Sequence, residues 1–211
     1  TIKNVVVKGS VTGKNYVGGI GGGSNGSADG KTLSIINCGN EATITATEAN
    51  GAGIIGVNMS GAAHFFISNC YNVGNVTSGR ESGAITGWTG GDKSTIENTY
   101  NIGVVKNGND ISTDFVRGGG NLVNTYNLST NDTKVTSGEL CYMLGAAFSQ
   151  LIGKDAYPSF GDAPVSYVGA TGYATFYDAT TGYELNGDVK AYTATLNTNW
   201  IELTELESVP A

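Results

Sequence analysis

Two short motifs alternate along residues 1–135, and each returns about every 30 residues. The first is built around an asparagine: Ile2-Lys3-Asn4-Val5, Ile35-Ile36-Asn37-Cys38-Gly39-Asn40, Ile67-Ser68-Asn69-Cys70-Tyr71-Asn72, Ile96-Glu97-Asn98-Thr99-Tyr100-Asn101 and Leu122-Val123-Asn124-Thr125-Tyr126-Asn127. Successive central asparagines lie 33, 32, 29 and 26 residues apart. The second motif runs out of phase with the first: Gly18-Gly19-Ile20-Gly21-Gly22, Ala52-Gly53-Ile54-Ile55-Gly56 and Gly83-Ala84-Ile85-Thr86-Gly87, with Gly118-Gly119-Gly120 read as a worn fourth copy. A period of roughly 20–50 residues made of short strands and turns leaves solenoids and propellers as the available architectures.

Inside each unit, runs such as Thr43-Ile44-Thr45 and Asn75-Val76-Thr77 are rich in β-branched residues and bounded by Gly, Asn and Ser. No sustained helical period occurs before about residue 135. Propeller blades need four strands in about 40 residues or more, and these units are shorter. The prediction is an all-β, parallel β-helix of about four coils, stacked about 4.8 Å apart. Equivalent residues then lie above one another, so Asn4, Asn37, Asn69, Asn98 and Asn124 form an amide ladder. Tyr71, Tyr100 and Tyr126 stack in the same way. Glycine occupies 33 of 211 positions beside only 3 prolines, without a Gly-X-Y period, which excludes collagen. Its clusters at 18–23, 51–56, 83–91 and 118–120 fall once per coil, as turns and close backbone contacts require.

Gly-Gly-Ile-x-Gly alternating with Ile-x-Asn-Cys-Tyr-Asn-x-Gly-x-Val resembles the GLUG-type repeats of bacterial surface proteins, common in gut-dwelling Bacteroidetes and some Firmicutes. The resemblance covers residues 1–135 and implies a right-handed β-helix on an exported protein, extracellular or at the bacterial cell surface. It carries no catalytic residues with it. The segment from Thr136 through Phe160 looks like one that often closes such arrays.

Residues 137–152 form the one helical pattern, with Ser137 as N-cap, an apolar face from Leu140 to Leu151, and breaks at Gly145 and Gly153. A helix here would cap the open end of the β-helix. Beyond it, Tyr173–Tyr177, Val189–Ala194 and Trp200–Thr204 alternate as antiparallel strands, with turns at Thr181-Gly182 and Asn186-Gly187-Asp188. The expected organisation is a repeat domain at 1–135, a helical capping segment at 136–165, and a small antiparallel β segment at 166–211 that reads as a truncated domain. Because Thr1 falls inside a repeat, a mature fragment or a piece of a longer chain with further domains is expected.

The chemistry is sparse. A net charge of −7 with no basic cluster disfavours nucleic acid, and no apolar run reaches the 18 residues of a membrane-spanning helix. Carboxylates are thinly spread, and only Asp110 and Asp114, with Arg117 close behind, approach a constellation; a solvated loop is the plainer reading. His64 is the sole histidine and has no evident catalytic or metal-binding partner. Cys38 and Cys70 share a repeat position, which allows either a disulfide or, as Thr99 and Thr125 in the same slot suggest, two small buried side chains. Cys141 reads as core. The glycine strings lack the Gly-Lys-Ser/Thr ending of a phosphate loop. Trp88, Tyr71, Tyr100 and Tyr126 could line a flat face for sugar rings, although stacked tyrosines more often pack coils together.

No cofactor or metal is expected. The function these features suggest is a non-enzymatic surface module, adhesin-like or a structural stalk, with a glycan or host-surface ligand as partner. The alternative is a carbohydrate-active β-helix enzyme using Asp110 or Asp114 on a polysaccharide.

Overall fold

The computed structural model describes residues 1–24, 31–58, 64–89, 94–151, 154–161, 165–166, 183–186, 188–196 and 200–205. The chain divides into two compact units, Thr1–Ser129 and Thr130–Ala211.

In the first unit each repeat is laid on the next as parallel strands. One wall contains Ile2–Lys3, Thr32–Ile36, His64–Ser68, Ser94–Asn101 and Asn121–Asn127. Its register places Ile2, Ile35, Ile67, Ile96 and Leu122 in one column. A second wall runs through Val6–Val7, Gly39–Asn40, Tyr71–Asn72 and the end of Ser94–Asn101. The third consists of Ser10–Gly18, Thr43–Ala52, Val76–Gly83 and Val105–Asn107, with Val11, Ile44, Val76 and Val105 in column. Gly21–Ser24 and Ile55–Asn58 pair alongside it, continued by single bridges from Ile55 to Thr86 and from Thr86 to Val116. The arrangement is all-β and β-helix-like.

The core is made of these columns. Ile35, Ile67 and Ile96, then Ile44 and Val76, then Ile54 and Ile85 all have no exposed surface and belong to one apolar cluster. Burying each such side chain stabilises the fold by roughly 1.5–3 kcal/mol. Like therefore packs on like, and the sequence period is a record of that packing.

Two amide ladders flank the bend between the first and second walls. Asn4, Asn37, Asn69, Asn98 and Asn124 all have φ between 45° and 57°, the left-handed region that Asn tolerates better than most residues. Each turns the chain from one wall into the other. Their side chains link repeat to repeat: Asn37 Nδ2 donates to Asn4 Oδ1 at 3.3 Å, Asn69 to Asn37 at 3.1 Å, Asn98 to Asn69 at 3.3 Å and Asn124 to Asn98 at 2.8 Å.

Three residues further on, a second ladder lies inside the protein. Asn40 Nδ2 donates to Asn72 Oδ1, Asn72 to Asn101 and Asn101 to Asn127, each at 2.7 Å. Asn40 and Asn72 have no exposed surface and Asn101 only 2%. Each of these three also donates to the carbonyl two residues ahead, Ala42, Gly74 or Gly103, at 2.9–3.0 Å. Ala42 and Gly103 return an N–H to the side-chain oxygen, which fixes how the amide is turned. The two ladders donate in opposite directions along the stack. Gly53 of the second motif sits where the buried ladder passes: a Cβ there would come within 2.3 Å of Asn72 Cγ.

The fourth copy of the glycine motif is not Gly118–Gly120. Ile85 N–H donates to the Phe115 carbonyl, and Thr86 bridges to Val116, so Asp114-Phe115-Val116-Arg117 occupies that level. Phe115 fills the isoleucine slot, a substitution that hides the copy from inspection by residue identity.

In the second unit the helix expected over 137–152 is shorter, Glu139–Leu144, and ends at the expected break, Gly145; another short helix, Thr133–Thr136, precedes it. Asp132 caps the first by accepting from Lys134 N–H at 2.9 Å. Ser137 closes that helix, and Gly138, at φ 86°, starts the second. Gly145, at φ 79°, ends it. Val135, Leu140, Cys141, Leu144 and Phe148 are buried in this unit, and the Phe148 ring stacks on Phe160 at 5.4 Å. Tyr183–Asn186, Asp188–Leu196 and Trp200–Glu205 pair antiparallel in order, and Val165–Ser166 adds in parallel to the last. The expected strand at 173–177 and the turn at 181–182 lie outside the described residues.

Removing a buried amide should be costly. Asn72→Ala leaves the Gly74 carbonyl and two neighbouring amides short of partners inside the core, and should lower the unfolding free energy by about 2–3 kcal/mol. Asn69→Gly keeps the left-handed bend and loses only half-buried bonds, so its cost should stay under about 1 kcal/mol. Urea unfolding of the two variants checks the order.

Candidate functional site

The glycine motif leads to the site. Tyr16, Asn50 and Glu81 are level with one another in three consecutive repeats, each flanked by residues paired in register. All three are left-handed, at φ 59°, 58° and 61°. That conformation suits Gly or Asn and costs a tyrosine or glutamate on the order of 1–3 kcal/mol. The last glycine of the next repeat's motif packs on this column: a Cβ on Gly56 would come within 2.5 Å of the Tyr16 carbonyl carbon, and one on Gly87 within 2.9 Å of that of Asn50.

Beside this column runs another, Gly23, Val57 and Trp88. Gly23 pairs with Val57, and Asn58 N–H donates to the Trp88 carbonyl at 3.0 Å, which sets Trp88 one level above Val57. Between the columns lies a cleft of about 260 Å³ lined by Tyr16, Asn50, Val57, Glu81 and Trp88. Tyr16 is 41% exposed and Asn50 only 6%. Glu81 holds Arg80 at 3.2 Å and Arg117 at 3.4 Å. Arg117 occupies the slot that is Gly22, Gly56 and Gly87 in the earlier repeats. The cleft thus offers aromatic rings, an amide and a carboxylate already engaged by two arginines.

The residues singled out from sequence are distributed differently. Trp88 is half-buried at the cleft. Tyr71 and Tyr100 are 1% and 0% exposed, their rings stacked at 5.7 Å and 13°, so they pack repeats together and cannot present a flat face to a sugar. Tyr71 Oη donates to Glu41 Oε1 at 2.8 Å. Tyr126 is half-buried and its hydroxyl bonds Asn124 Oδ1. Asp110 and Asp114 are exposed, Asp110 on a strand paired antiparallel to Val105–Asn107, while Arg117 pairs with Glu81. His64 Nε2 lies 3.0 Å from Thr95 Oγ1. Among the described residues, no three of His, Cys, Asp and Glu gather as a metal centre would require. Sequence reasoning missed Tyr16, Asn50 and Glu81; nothing in their identities marks a shared slot until the strands are in register.

No family model matches the sequence, and no curated protein is similar to it at a significant level. Among solved structures, a crystal structure from Bacteroides ovatus named as a candidate immunoglobulin A1 protease is similar, with a TM-score of 0.50 and 23% identity over 75% of this chain. The chain spans 57% of that chain's length. At this identity the likeness is one of fold.

Cys38 and Cys70 are free thiols without exposed surface. Cys38 Sγ approaches the Ile36 carbonyl at 3.3 Å and Cys70 Sγ that of Ser68 at 3.2 Å, as Thr99 Oγ1 does that of Glu97 at 2.7 Å. The slot takes a small side chain that donates two residues back. The Cys70 thiol donates to Cys38 and draws Cys38 down from 9.0 to about 7, while burial pushes Cys70 well up. A lowered acid stabilises the fold fully above its unfolded value and loses that contribution as pH falls through its folded value. The Cys38 contribution should therefore grow between about pH 7 and pH 9.0, with Cys70 acting only above that window. In denaturant unfolding, the difference between wild type and Cys38→Thr should widen across this range. In a Cys70→Ala background, which lacks the donor, the widening should shrink.

Proposed function

We propose that residues 1–129 form a right-handed parallel β-helix of GLUG type, and that the protein is a non-enzymatic module of the bacterial cell surface that displays a ligand-binding face. Right-handedness follows from the near-universal hand of parallel crossovers. The observation that supports the non-enzymatic reading is how the acids of the array are used. Glu41 pairs with Lys8 at 3.0 Å, Glu48 with Lys14 at 3.1 Å, Glu81 with two arginines, and Glu97 accepts from Ser68 Oγ at 2.9 Å. Each of these four carboxylates is engaged by a cation or a hydroxyl and not set against a second carboxylate. Glycoside hydrolysis needs two carboxylates facing one bond, about 5–5.5 Å or 6.5–9.5 Å apart.

The name of the Bacteroides ovatus protein raises proteolysis as another reading. Here the sole histidine is bonded to a threonine of the neighbouring repeat, and Cys38 and Cys70 lie sealed in the core, so neither supplies an accessible nucleophile and base.

Antibody raised against residues 1–129 should label intact producing cells as strongly as lysed ones; labelling confined to lysates overturns the surface reading. The purified chain should release no reducing ends from a panel of neutral and acidic polysaccharides and no fragments from immunoglobulin A1. Steady product formation that follows the purified chain would replace this reading with an enzymatic one.

A further inference from the structure

We propose that the cleft between Tyr16 and Trp88 is a binding site for a pyranose, held against Trp88 and hydrogen-bonded by Asn50 and Glu81. The inference deepens the display reading given above and rests on it for biological setting, but its argument comes from three separate observations.

The first is the break in column chemistry. The main core column and both ladders repeat one kind of residue: Ile2, Ile35, Ile67, Ile96 and Leu122 in the core, asparagines in the ladders. At the cleft the pattern fails in two adjacent columns. One reads Tyr16, Asn50, Glu81, and the other Gly23, Val57, Trp88.

The second is backbone cost. Tyr16 and Glu81 occupy a left-handed conformation that glycine would adopt freely and asparagine at little cost. Tyr16 is 41% exposed, so burial does not repay the strain. Strained residues held in place by the surrounding structure gather at ligand sites.

The third is what the lining can recognise. An aromatic face receives the C–H face of a sugar ring, while a neighbouring amide and carboxylate meet its hydroxyls. Glu81 is the one charged residue of the lining and its carboxylate is engaged by Arg80 and Arg117, so no free carboxylate is left to select a cationic ligand. A carboxylate clamped between guanidinium groups still has lone pairs for hydroxyl donors, and a guanidinium is a fixed donor to ring or hydroxyl oxygen. Size agrees as well. Three levels of the stack span about 10 Å, and 260 Å³ lies just under the usual range of ligand pockets, which suits a single sugar ring and not a buried polymer.

The test is calorimetric titration of the purified 211-residue chain with methyl glycosides of glucose, galactose, mannose and N-acetylglucosamine, and with their disaccharides. Tryptophan fluorescence is followed in parallel. At least one of these probes should bind with a dissociation constant of millimolar or below. Trp88→Ala should weaken it about tenfold or more, corresponding to about 1.4 kcal/mol, and should remove the fluorescence response. Tyr16→Asn should weaken binding without lowering the melting temperature, because asparagine relieves the strain while removing the ring. Tyr142→Ala, an exposed tyrosine of the second unit, should leave affinity unchanged. Wild-type affinity in Trp88→Ala, binding of peptides alone, or no binding by any probe would each overturn the site. Should no sugar bind while intact cells are labelled, the site fails and the display reading stands. Should a sugar bind while the chain stays inside cells, the reverse holds.

Discussion

The structure depends on keeping polar groups bonded along an axis on which everything repeats. Stacking identical units brings the same amide over itself at every level, and a buried amide without partners costs about 1–3 kcal/mol. Asn40, Asn72 and Asn101 meet that demand completely: each binds the next level through one N–H and its own chain through the other, and Ala42 and Gly103 return a bond to Asn40 and Asn101. The isoleucine columns can then close over these amides without stranding any of the three. Apolar packing supplies most of the stability, while the amides decide the level at which each repeat settles. A repeat displaced along the chain by one residue would present a side chain of the wrong length to the ladder below.

Much of this was legible in the amino-acid order because stacking turns spatial neighbours into a sequence period. The central asparagines, spaced 33 to 26 residues apart, are level in the structure, and the glycine motif recurs where chain must approach chain. What could not be read was the inside of the period. Asn40 and Asn72 stand three residues from Asn37 and Asn69, yet one set bends the chain at the surface and the other lies in the core. Only the left-handed turn at the first separates them. Tyr71 and Tyr100 were open to a packing or a sugar-facing role, and their buried, stacked rings take the packing one.

The cleft was less legible for a related reason. Its residues share a slot and not a type, so Tyr16, Asn50 and Glu81 leave no motif. Phe115 and Arg117 likewise conceal a fourth copy of the glycine motif whose pairing is plain once the bridges to Thr86 and Ile85 are seen. The second unit shows the limit of periodicity: an apolar pattern over 137–152 suggests one helix, and Gly138 and Gly145, both at positive φ, confine it to Glu139–Leu144.

The opposed directions of the two asparagine ladders bear on how far such a stack can grow. A column of amides all pointing one way accumulates a dipole with length, as an α-helix does, and leaves partial charges at its ends. Here one column donates toward the first repeat and the other away from it, so the two fields cancel to first order at every level. Another unit added to the stack would extend both columns at once, so their opposition is kept. The polarity of a side-chain amide, turned one way at the surface and the other in the core, thus keeps the dipoles of the two columns opposed along the whole stack.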